Sequence, residues 1–227
     1  MTCAAQQFAD TAQDPPVRGF LHQPAPGNGD ALVLAHGAGS NSQAPLLIAV
    51  ANAFCEAGFT VLRCNLPYRQ DRPQGPPRPG DAARDREGLR NAIRVMRTMA
   101  PGRLFLGGHS YGGRQSSMLL AEDPHLADGL LLLSYPLHPP RKPDQLRIKH
   151  LPDLHVPALF VHGTRDPFGS TEEFQQALAL IPAKTLLLEV QNAGHDLDIR
   201  KKAVPEEGAL ATRILSAFRT LFGELAV

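Results

Sequence analysis

Three residues stand where nucleophilic chemistry at a carbonyl would need them: Ser110 in Gly108-His109-Ser110-Tyr111-Gly112, Asp166 in Thr164-Arg165-Asp166-Pro167, and His195 in Asn192-Ala193-Gly194-His195. A serine hydroxyl is a weak nucleophile unaided and becomes effective when a histidine takes its proton and an acid holds that histidine in one tautomer. The order serine, acid, histidine is one of the known chain orders for such a triad. Each member also has a plainer reading: Ser110 as a helix cap, Asp166 as the former of an Asp-Pro turn with Asp153 as the substitute acid, and His195 as a loop histidine.

The elements around Ser110 favour the catalytic reading. Leu104-Phe105-Leu106 is a buried strand pattern that runs into the glycines and then into a helical pattern over 114–122. Gly108 and Gly112 remove Cβ atoms where strand and helix approach closely, so the backbone can make the tight turn that exposes the serine. The helix N-terminus directs its N–H groups and the positive end of its dipole at the same point. A developing oxyanion would meet the Tyr111 N–H and an N–H of the loop 36–39, assigned here to Ala38.

Other strand-like runs end in the same way. Ala31-Leu32-Val33-Leu34-Ala35 leads into His36-Gly37-Ala38-Gly39, Gly129 to Ser134 into Tyr135-Pro136-Leu137-His138, Pro157 to Gly163 into the Asp166 segment, and 185–190 into the His195 segment. Helical patterns at 45–57, closed by Gly58, at 81–99, at 171–180 and at 205–221 alternate with the strands. Alternation of this kind implies right-handed crossovers and a mainly parallel sheet, whose ligand site lies at the carboxyl ends of its strands. Residues 1–16 read as polar and peripheral, 17–21 as a short edge strand, and 69–80, with prolines 73, 76, 77 and 79, as a stiff irregular loop.

Composition narrows the function classes. With 227 residues the chain is expected to form one domain. Lys plus Arg at 23 against Asp plus Glu at 22 leaves a net charge of +1, which recruits neither nucleic acid nor an anionic membrane. The arginines of 81–99 are expected to form a solvated face, paired at helical spacing with Asp81, Asp85 and Glu87. His109 and His162 read as packing residues, and the segment 150–155, with two histidines around a proline, as a poor metal site. No run reaches membrane-spanning length, the first fourteen residues lack a leader pattern, and the three cysteines are expected to be free thiols of a cytoplasmic protein.

The loops together resemble the α/β-hydrolase superfamily, more narrowly its dienelactone-hydrolase-like branch and the KANL/Tex-type hydrolase domains within it. The narrower likeness rests on Ala35-His36-Gly37-Ala38-Gly39, Leu62-Arg63-Cys64-Asn65-Leu66-Pro67-Tyr68-Arg69, the Ser110 turn and Ser134-Tyr135-Pro136-Leu137-His138-Pro139, and spans about residues 30 to 200. It implies an α/β fold with helices on both faces of the sheet and no large cap, and the short 135–156 segment agrees. The expected substrate-site residues are His36, Gly37, Gly39, Tyr68, Arg69, His109, Tyr135 and His138. The expected activity is hydrolysis of a small ester, lactone or thioester with no metal or organic cofactor. A catalytically silent binding module, and an acyltransferase or peptidase using the same triad, are the alternatives; nothing in the pattern sets an oligomeric state.

Overall fold

The computed structural model describes residues 3–197 and 207–223. Eight strands form one sheet: β1 (Ala5–Asp10), β2 (Val17–His22), β3 (Ala31–Ala35), β4 (Thr60–Asn65), β5 (Leu104–His109), β6 (Gly129–Leu133), β7 (Ala158–Gly163) and β8 (Thr185–Val190). Their order is β1-β2-β4-β3-β5-β6-β7-β8. β1 and β2 are antiparallel to their neighbours, and the strands from β4 to β8 are mutually parallel.

The helices are α1 (Pro45–Glu56), α2 (Pro67–Asp71), α3 (Asp81–Met99), α4 (Tyr111–Glu122), α5 (Thr171–Leu178) and α6 (Glu207–Phe222). Apolar side chains that alternate along β3 explain the layering. Leu32 and Leu34 enter a core with α1 and α6, while Ala31, Val33 and Ala35 enter one with α3, α4 and α5. A strand covered on both faces reads as an unbroken apolar run, as β3 and β6 do. α6 docks through Phe218, whose ring meets Phe105 edge-on at 4.7 Å and Phe54 at 5.0 Å. The expected start of this last helix at Pro205 lies outside the described residues.

Four expectations are corrected. Residues 5–10 form a sheet strand, so β2 lies between β1 and β4 and is not an edge. Arg69, Gln70 and Asp71 belong to a helix, because Pro67 occupies its first turn, where no N–H is needed, and the other prolines begin only at 73. The helix after Ser110 begins at Tyr111, a turn earlier than its apolar pattern.

The fourth concerns the cysteines. Cys3 and Cys55 are disulfide-bonded with Cα atoms 6.0 Å apart, and Cys64 alone is free and buried. No local spacing marks this pair, since the partners lie 52 residues apart and meet only when the N-terminal segment returns alongside α1. With it goes the argument from three free thiols to a reducing compartment.

The arginines of α3 also find partners, largely outside their own helix. Arg84 pairs with Asp14, Arg86 with Glu122, Arg90 with Glu87 and Asp123, Arg94 with Glu87, and Arg97 with Asp128. Asp85 departs from the expected solvated face: it is fully buried. Among the described residues, no helix is long and apolar enough to cross a membrane.

A bridge that closes a loop of this length restricts the unfolded chain and contributes about 4 kcal/mol in the chain-entropy account. Cys3→Ser should therefore lower the thermal midpoint by several degrees under oxidising conditions, and dithiothreitol should lower that of the unmodified protein but leave the variant's in place; differential scanning calorimetry measures both.

Candidate active site

Ser110 sits between β5 and α4 with φ 49° and ψ −112°, a left-handed conformation that costs a non-glycine residue about 1–3 kcal/mol and persists only where its surroundings enforce it. Here the enforcement is backbone contact. The Ser110 N–H donates to the Leu133 carbonyl at 2.8 Å and its carbonyl accepts from the Arg114 N–H at 2.9 Å. Gly108, at φ 152°, lies so close to the Ala35 carbonyl that a Cβ would overlap it. At Gly112 a Cβ would come 2.6 Å from the His36 carbonyl, to which the Gly112 N–H itself donates.

The three chemistry-bearing side chains meet. The Ser110 Oγ lies 2.8 Å from His195 Nε2, and His195 Nδ1 lies 2.8 Å from Asp166 Oδ2. The second Asp166 oxygen accepts the Phe168 N–H at 2.9 Å, so the buried carboxylate is saturated on both sides. Asp153, the substitute acid, lies in a short 3-10 turn (Leu151–Asp153) and is exposed. His150 Nε2 is 2.8 Å from the Ser117 hydroxyl, and His155 faces solvent.

Two neighbours fix the His195 ring. Phe168 stacks on it with centroids 4.1 Å apart and planes 27° apart. His109 Nε2 is 2.9 Å from the His195 carbonyl; burial lowers the His109 pKa, so the ring is neutral and donates this bond. His109 therefore grips the loop that carries His195. Sequence reasoning missed Phe168 altogether; its position two residues after Asp166 was the available signal.

Loop 36–39 is braced from beneath. The buried His36 Nε2 accepts the Leu66 N–H at 3.1 Å, and Nδ1 donates to the Gly37 carbonyl at 2.9 Å. The Tyr68 hydroxyl donates to the Ala38 carbonyl at 2.8 Å, with the Gly37 carbonyl at 3.2 Å. Since C=O and N–H are opposed across a trans peptide, holding the Gly37 carbonyl turns the Ala38 N–H the other way. Arg69 ties Ala38 and Ser40 to Arg72 and Gly75 through their carbonyls.

Five of the expected substrate-site residues are held inward by the protein itself. His36, Tyr68, Arg69, Tyr135 and His138 are each at most 7% exposed. Tyr135 donates to the Arg147 carbonyl at 2.6 Å, and His138 joins the Pro139 carbonyl to Glu173 of α5. Gly37 is buried beside Ser110, where a Cβ would stand 3.6 Å from the serine Cβ. Ala38, Gly39, Ser110, Tyr111, Phe168 and His195 remain at least partly exposed.

Sheet order, strand-end serine turn and opposed histidine together define an α/β-hydrolase. Residues 28–221 match the family model described as "Alpha/beta hydrolase domain", and the chain belongs to that family. Among solved structures it is similar to a dienelactone hydrolase from Anabaena variabilis, at 21% identity and TM-score 0.73 over 98% of this chain and 99% of that one. An alpha-beta serine hydrolase homologue from Coxiella burnetii is similar at 16% identity and TM-score 0.72, over 97% of this chain and 98% of that one. A serine hydrolase without lid from Xanthomonas campestris is similar at 15% identity and TM-score 0.70, covering 100% and 99% of the two chains. Among the described residues, no large cap covers the carboxyl edge of the sheet.

His36 also supplies a pH prediction. Burial, first, and then the Arg69 guanidinium hold its pKa down to about 4 from 6.5, despite the opposing Gly37 hydrogen bond. The unfolded chain therefore binds a proton that the folded chain refuses, and this contribution to stability is lost as pH falls from about 6.5 toward about 4. The urea midpoint should drop between pH 7 and pH 5, and His36→Gln should flatten that dependence.

Proposed function

We propose that the protein is a serine hydrolase that cleaves a small ester, lactone or thioester through an acyl-enzyme. The observation that carries this reading is the unbroken chain from Ser110 Oγ to His195 Nε2 and from His195 Nδ1 to Asp166 Oδ2, each link 2.8 Å long. An arrangement serving only to cap α4 has no need of it, and the Ser110 side chain makes no capping bond to α4.

In the proposed reaction Ser110 Oγ attacks the carbonyl carbon as its proton passes to His195 Nε2. Asp166 keeps the Nδ1 proton in place and stabilises the imidazolium. Negative charge on the former carbonyl oxygen is met by the Tyr111 N–H, an unpaired donor of the first helical turn, and by the Ala38 N–H. Collapse of the tetrahedral intermediate breaks the bond to the leaving alcohol or thiol, which takes the proton from His195. Water then repeats the sequence on the acyl-serine and releases the acid. The steps use these side chains, two backbone amides and water.

Three features support a small, open-access substrate: no large cap among the described residues, the partly exposed Ser110 and His195, and a likeness to the Anabaena variabilis dienelactone hydrolase.

The test is fluorophosphonate labelling followed by peptide mass spectrometry. Adduct should form on Ser110 and vanish in Ser110→Ala and His195→Ala, and the labelled serine should be protected by a competing lactone or aryl ester. Folded protein that never labels would refute the hydrolase reading in favour of a binding module. Asp166→Asn should retain the fold and lose roughly 10⁴-fold in turnover, because the wrong imidazole tautomer would face the serine; a loss of less than about tenfold would remove Asp166 from the triad.

A further inference from the structure

Asp85 lies on α3, outside the Ser110–His195–Asp166 chain, and is 0% exposed. It makes no ion pair with any described arginine or lysine. A carboxylate buried without a cation is costly unless hydrogen bonds satisfy it. Both of its oxygens are engaged, and the partners point to a use. Oδ2 accepts the Tyr111 hydroxyl at 2.7 Å, and Oδ1 accepts the Tyr68 backbone N–H at 3.1 Å. The two tyrosine rings meet edge to face, with centroids 5.9 Å apart and planes at 89°.

Those partners are the two halves of the proposed oxyanion site. Tyr111 carries one of its amides. Tyr68 holds the other half, because its hydroxyl braces the Gly37 and Ala38 carbonyls and so orients the Ala38 N–H. We infer that Asp85 is a positioning residue that sets the two oxyanion-binding amides relative to each other, through Tyr111 on one oxygen and Tyr68 on the other. This inference rests on the hydrolase reading above.

The reason a shared anchor matters is geometric. The Tyr111 amide belongs to the start of α4 and the Ala38 amide to the loop after β3; the Gly112 N–H joins the two elements at the His36 carbonyl, 3.1 Å away, and the amides beside that bond are left to be oriented by what holds Tyr111 and the loop. A donor pair works when both lie about 2.7–3.1 Å from the oxygen that develops charge. One rigid carboxylate bonded to both supports converts two independent tolerances into one. Burial also holds the Tyr111 phenol well above its usual range, so that it stays a donor.

The experiment compares fluorophosphonate inactivation of the unmodified chain with Asp85→Asn, Tyr111→Phe and the double variant, resolving the maximal inactivation rate from reagent affinity. Asp85→Asn replaces the oxygen that accepts from Tyr111 with a donor or else releases the Tyr68 N–H. Tyr111→Phe keeps the ring and the amide but loses the hydrogen bond. The maximal rate should fall at least about tenfold in Asp85→Asn, a fraction of what loss of a whole donor costs. It should fall less in Tyr111→Phe, and no further in the double variant than in Asp85→Asn, with reagent affinity unchanged in all three. A merely structural carboxylate would lower the unfolding midpoint and leave the rate of the folded protein unaltered. Rates within about twofold of the unmodified chain in both single variants overturn the inference, and if Asp85→Asn does not fold, Tyr111→Phe decides alone. An unmodified chain that does not label at Ser110 overturns the hydrolase reading and this inference with it; one that labels while the folded variants match it overturns only this inference.

Discussion

The contact on which the site depends is a backbone-to-backbone approach with no side chain between: Gly108 and Gly112 against the Ala35 and His36 carbonyls. Any Cβ at either position would collide with main chain that cannot move away, because Ala35 is in register with Gly108 in a fully paired parallel ladder. This closeness is what allows Ser110 to be held at φ 49° and projects its hydroxyl beyond the sheet edge. It also brings loop 36–39 against the start of α4, so that amides from two elements can face one oxygen. Strain at the serine and proximity of the loop have a single cause.

Polar groups near the site divide by what they hold. Asp166, Phe168 and His109 hold His195: one its tautomer, one its ring plane, one its backbone. His36, Tyr68 and Arg69 hold the loop after β3, all through carbonyl oxygens or a single N–H. Buried polar side chains satisfied by backbone are expensive to leave unpaired, and so each of them specifies one loop conformation. The arginine-rich helix α3 contributes its one inward-facing carboxylate to the same network while its cations pair with acids at the surface.

Much of the fold was legible because it is written in short-range pattern. β3 and β6 are continuous apolar runs, α1 closes on Gly58 at φ 97°, and α5 opens with a capping box between Ser170 and Glu173. What escaped was weakly patterned: β1, Ala5–Asp10, is largely exposed, so it shows no alternation strong enough to mark a strand. At the site, residue types such as His36, Tyr68 and His138 suggested ligand contact, since a histidine or tyrosine beside a catalytic loop has the same sequence appearance whether it faces substrate or braces a carbonyl.

By itself the sequence determined the alternation of strands and helices from β3 onward apart from α2, the loops that end at the carboxyl edge, and the serine turn, because each follows from local periodicity and from glycines at fixed spacing. Only the tertiary structure decided that Asp166 and not Asp153 faces His195, that Cys3 reaches Cys55, and that Asp85 turns inward to Tyr111. Those outcomes join residues between 26 and 52 positions apart. They depend on which faces of separate elements come to rest against each other, which no local pattern records.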